Sequence, residues 1–175
     1  MIIRCTRARE ASEAQVSTYA GGVREDIRER RLDAALGRRR ASGDVSEIAA
    51  AFAEMIRRFV CFAAQHPELS RIMVHEATSE GGRLTWMTER YVKPLYDTVR
   101  PLWRRLRAAG IAAPIDDRLF HYVMVGAASL VYVNAPEARL LTGIEPTAER
   151  WVETHAAGLV AMLLPNAPRV NRGSA

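Results

Sequence analysis

Lysine is almost missing from this chain: of 25 basic residues only Lys93 is a lysine. Cysteine is scarce too, with Cys5 and Cys61 alone. Two cysteines build no disulfide framework, and without a C-x-x-C spacing they suggest no zinc site. A reducing, cytoplasmic setting is expected. Long apolar runs are also absent. The longest apolar candidate, Leu119 to Val133, has 15 residues and includes His121 and Ser129. A membrane span needs roughly 18 or more apolar residues, so no membrane partner is expected. Met1 to Glu10 holds no apolar segment of signal-peptide length.

Catalytic signatures are missing as well. The histidines are His66, His75, His121 and His155, and none follows a Glu by three residues, as a di-iron bundle requires. His75-Glu76 lacks the second histidine of a zinc-protease helix. There is no G-x-S-x-G elbow and no Gly-rich phosphate loop; Gly81-Gly82 reads as a helix terminator. Cys61, mid-helix beside an apolar face, reads as a buried structural cysteine. No metal, no cofactor and no enzyme activity are expected.

What is present is an ordinary globular balance: 175 residues, 49% hydrophobic and 26% charged. The net charge of +5 is unevenly placed. Residues 1–43 carry ten arginines against six acids, while the remainder is nearly neutral at fifteen basic against fourteen acidic. The basic excess therefore belongs to the N-terminal quarter, and the globular part gives no electrostatic sign of a nucleic-acid surface.

Residues 1–22 show no sustained periodicity and read as an irregular remnant. Residues 23–43 read as a connecting helix with a thin apolar stripe, Ile27, Leu32 and Leu36. The core begins at Asp44, an N-cap with Glu47 in capping-box position. Ile48, Phe52, Met55, Ile56, Phe59, Val60 and Ala63 then fall on one helical face. Pro67 stops this helix. A short helix follows over 68–79. A long one spans 83–109, with Leu84, Met87, Tyr91, Leu95, Val99, Leu102 and Leu106 on its stripe and a kink expected near Pro94. Gly110 ends it, and Asp116-Asp117 open the next. No strand pattern competes, so the fold class is all-α.

The last two long helices have more apolar surface than one subunit readily covers. Residues 119–133 are apolar nearly all round. The closing helix, about 147–164, carries one stripe of Val152, Ala156, Leu159 and Leu163, and another of Trp151, His155, Gly158 and Met162. A two-fold dimer is expected, with these helices forming a four-helix bundle. Its interface residues are Val123, Gly126, Ala127, Leu130, Trp151, His155, Gly158 and Met162.

The stretch FVCFAAQHPELSRIMVHEATSEGGRLTWMTERYVKPLY at 59–96 resembles the ligand-sensing domain of TetR/AcrR-family transcriptional regulators. VGAASLVYVNAPEARLLTG at 125–143 and ERWVETHAAGLVAMLLP at 149–165 resemble that family's dimerisation helices. The resemblance covers residues 44–165 and implies an effector-binding and dimerisation domain, a homodimer, and a pocket for a small, largely apolar effector. The residues placed at that pocket are Met55, Phe59, Ile72, His75, Trp86, Tyr91, Tyr122 and Val125. DNA is a partner by family resemblance only. The family's head is three helices of roughly fifty residues with a helix-turn-helix; here only Gln15 to Tyr19 is similar to it, and 22 residues precede the connecting helix. The expectation is a regulator fragment without an intact DNA-binding head, with residues 166–175 as a flexible tail. The alternative is a stand-alone helical binding protein for apolar molecules.

Overall fold

Asp44 opens the first helix by capping it: its carboxylate accepts a 3.0 Å hydrogen bond from the Ser46 amide. The computed structural model describes residues 44–78 and 80–168. The connecting helix expected over 23–43, and the remnant before it, lie outside the described residues.

Seven α-helices follow in chain order: α1 (Val45–Gln65), α2 (Pro67–Ala77), α3 (Gly82–Met87), α4 (Lys93–Ala108), α5 (Phe120–Val133), α6 (Ala135–Thr142) and α7 (Glu149–Leu163). Among the described residues there is no strand, so the all-α expectation holds. α1 is the central element and packs against α2, α4, α5 and α7. Its stripe of Ile48, Phe52, Ile56, Val60 and Ala63 is buried in one core. α4 adds Val99, Leu102, Trp103 and Leu106, and α5 adds Phe120, Met124, Ala128 and Tyr132. α7 contributes Val152, Ala156, Leu159 and Leu163, the stripe read from the sequence.

Local breaks have local causes. The kink expected near Pro94 takes the form of a π-helical segment, Thr88–Val92, between α3 and α4. There the Lys93 amide reaches back five residues to the Thr88 carbonyl. Pro94 has no amide to offer Arg90 and its ring would crowd that carbonyl in a regular helix; the widened turn relieves both problems. α4 ends in a Schellman turn. Gly110 sits at φ +70°, its amide bonds the Arg107 carbonyl, and the Ile111 amide bonds the Leu106 carbonyl.

Cys61 corrects the sequence reading: it is exposed on α1. It follows Val60, about 100° round the helix from the buried stripe. At the chain's other end, the Asn166 side chain donates a 2.8 Å hydrogen bond to the Gly110 carbonyl, and Ala167 packs against the core. Among the described residues no helix is long and apolar enough to cross a membrane.

Candidate functional site

Where α1, α4 and α5 meet, the core opens into a small crevice. Phe120 lines it and belongs to a layer of aromatic rings. Trp103 stacks on Phe120 with centroids 3.9 Å apart and planes 19° from parallel. Phe52 tilts against both, at 6.0 and 5.9 Å. The Trp103 indole N–H donates to the Ile115 carbonyl at 3.0 Å, which fixes the ring. The other apolar walls of the crevice are Met55, Leu95, Val99 and Met124.

The polar lining residues are Tyr96 and Arg100 of α4, Asp117 in the turn before α5, and His121 in the first turn of α5. Asp117 accepts from Arg100 Nε at 2.6 Å and from Arg104 at 2.8 Å, and its side chain is only 13% exposed. Those two guanidinium groups hold its carboxyl below the ordinary carboxylate range. The Arg100 guanidinium also lies 5.7 Å from the Tyr96 ring centroid. His121 meets Tyr96 edge-on at 6.1 Å and 81°. Burial pushes its pKa down, so the ring is neutral at neutral pH.

Of the eight residues placed at a pocket by sequence, Met55 is the one that lines this crevice. Phe59 and Val125 are half-buried against the core nearby. Ile72 is half-buried on α2, and His75 is exposed on the same helix. Trp86, 43% exposed, packs edge-on against Tyr91 at 5.4 Å. Tyr122 points elsewhere and is 72% exposed. On α5 the inward residues are Phe120, Met124, Ala128 and Tyr132; position 122 lies about 200° round the helix from 120.

A second feature is a surface. On α5, Leu119, Tyr122, Val123 and Leu130 are exposed, and on α7 Met162 is 54% exposed. The ring of His155 on α7 reaches the Ala127 carbonyl on α5 at 3.0 Å, which sets the two outer stripes side by side. Gly126 and Gly158 are exposed on α5 and α7, and a Cβ added at either would meet nothing within 4 Å among the described residues.

A family model for the tetracyclin repressor-like, C-terminal domain matches residues 49–163. The chain belongs to this TetR-like family. It is thereby a member of a transcription-regulator family. No curated protein and no solved structure matches it significantly.

Within this TetR-like domain the crevice offers about 30 Å³ of room, the scale of a water molecule. Drug-sized ligands occupy pockets of ~300–1,000 Å³. A molecule of that size would fit only if the crevice widened, and of its walls the Met55 and Met124 thioethers are the most adaptable. The sequence reading missed Tyr96, Arg100, Asp117 and His121 as site residues. The signal that could have found two of them was the isolated His121 at the start of an otherwise apolar helix, four residues after an acid.

Proposed function

We propose that residues 44–165 form the effector-sensing and homodimerising part of a TetR-like transcription regulator. Pairing uses the outer stripes of α5 and α7, and sensing uses the crevice between α1, α4 and α5. The exposed apolar face carries the proposal. Leu119 at the start of α5, and Tyr122, Val123 and Leu130 along one side of it, are exposed among the described residues. With Met162 of α7 they are exposed apolar side chains of the kind that marks protein–protein contact. A two-fold axis would place each copy's apolar face on its twin and bury it.

The proposed interface keeps Val123, Gly126, Ala127, Leu130, Trp151, Gly158 and Met162 as contact residues. His155 has a different place in it. Both its ring nitrogens are engaged inside the subunit, by Tyr132 and Ala127, so it braces the face from behind. The Trp151 indole N–H is buried with no hydrogen-bond partner among the described residues.

Sedimentation equilibrium tests this reading. The full chain should have twice the chain mass at micromolar concentration, and Leu130→Glu should reduce it to a single chain while helicity is retained. A wild-type monomer at that concentration defeats the pairing. DNA contact in this family belongs to the N-terminal head, which the proposal does not assign to the described residues.

A further inference from the structure

Of the charged side chains beside the crevice, Arg100 and Asp117 line it, and the charges linked to them do not cancel. Asp116 pairs with Arg118 at 2.9 Å, and Asp117 pairs with Arg100 and Arg104. Three arginines thus face two aspartates, leaving one positive charge over. Arg100 is the cation of this group that lines the crevice, and its ion-pair partner Asp117 lines it too. It uses Nε for Asp117, which leaves its two terminal amino groups for a ligand. His121 lines the same crevice with a half-buried ring. Apart from Tyr96, the remaining lining side chains are apolar.

We infer that the effector of this crevice is a small apolar molecule bearing one carboxylate, with that carboxylate at Arg100 and His121 and its body against Met55, Val99 and Met124. This rests on the sensing role proposed above and names the chemistry of that site. A carboxylate matches the planar guanidinium fork and cancels the single surplus charge. A dianion such as a phosphate monoester fits poorly, because the Asp117 carboxylate stands beside the same arginines. A neutral apolar molecule gains the walls but leaves the surplus charge unanswered. The body is limited to one ring or a short chain, since the walls must open from the scale of a water molecule.

The test is calorimetric titration of the full chain with 4-butylbenzoate and with 4-butylbenzamide, which have the same shape and differ in charge. The benzoate should bind at least tenfold more tightly. Raising the salt concentration should narrow that gap, because a partly exposed charge pair is screened. Arg100→Gln should bring the two affinities within about threefold of each other, and Arg100→Lys should keep part of the preference. Met124→Trp, which fills the crevice, should weaken both ligands. Equal affinities for wild-type protein overturn the carboxylate assignment while the sensing crevice stands. A preference that persists in a folded Arg100→Gln variant overturns it too. Failure of both ligands to bind at millimolar concentration overturns the crevice and the carboxylate together. The wild-type comparison decides without any variant having to fold.

Discussion

The Tyr132 hydroxyl lies 3.0 Å from Nδ1 of His155, and Nε2 of the same ring lies 3.0 Å from the Ala127 carbonyl. A carbonyl only accepts, so Nε2 carries the proton. In the neutral ring Nδ1 is then the acceptor and the Tyr132 hydroxyl the donor. One imidazole thereby joins α7 to two positions on α5. Tyr132→Phe removes a donor from a partly buried acceptor and should cost ~1–2 kcal/mol in chemical denaturation. An unchanged midpoint would show that the hydroxyl does not support the ring.

The same ring makes the domain acid-sensitive. Burial lowers the pKa of His155, against a smaller opposing effect of the Ala127 carbonyl, and burial lowers that of His121. The unfolded chain, with both near the ordinary 6.5, therefore binds more protons than the native domain just below neutrality. Stability is complete above that value and falls as pH drops through it. The melting temperature should decline between about pH 7 and pH 5. His155→Gln should flatten part of the decline, and adding His121→Gln should flatten more. Asp116, Asp117 and Glu145 are depressed by their hydrogen-bonding partners, so their stabilisation is lost only at lower pH, below the ordinary 3.8 to 4.5. A melting temperature constant from pH 7 to pH 5 would remove the histidines from this account.

Much of the fold was legible because helical periodicity reports burial directly. Val152, Ala156, Leu159 and Leu163 were read as one stripe and are all buried. Pro94 and Gly110 act where their backbone chemistry requires. The crevice was harder to read. Arg100 and Asp117 are 17 residues apart and meet only because the turn after Gly110 folds α5 back along α4. Asp116-Asp117 read together as the opening of the next helix, and in sequence a cap and an ion-pair partner are the same letter. It is Asp116 that serves the turn, its carbonyl accepting from the Leu119 and Phe120 amides. Tyr122 could have been placed from periodicity alone, since it stands two residues from each inward neighbour on a helix that turns every 3.6. Trp86, Tyr91 and His75 were beyond such reasoning, because their distance from the crevice depends on how α2 and α3 dock.

Trp103 is fully buried, stacked on Phe120 and tied to Ile115. Trp103→Ala should destabilise by ~3–5 kcal/mol, combining lost apolar transfer with the cavity left behind. That is a large share of the ~5–15 kcal/mol that holds a typical domain together. Trp103→Phe keeps much of the stacking surface and loses the bond to Ile115, so its cost should be clearly smaller. Urea denaturation of both variants gives the comparison, and equal losses would mean that the stacking contributes little.

Two kinds of glycine separate folding from pairing. Gly143 caps α6 at φ +68°, where an L side chain is strained, so Gly143→Ala should destabilise by ~1 kcal/mol. Gly126 and Gly158 lie within α5 and α7, and an added Cβ would touch nothing among the described residues. For an isolated subunit, alanine at these sites should be favourable by up to ~1 kcal/mol per site through helix propensity. If their surface instead meets a second copy closely, the same methyl groups hold the two backbones apart. The double variant Gly126→Ala/Gly158→Ala should therefore weaken self-association by tenfold or more in sedimentation, while the subunit, compared at concentrations where both proteins are monomeric, melts no lower than wild type. Undiminished association in that variant would mean that the glycines do not face the twin, and the pairing surface would have to be moved toward Leu119 and Tyr122.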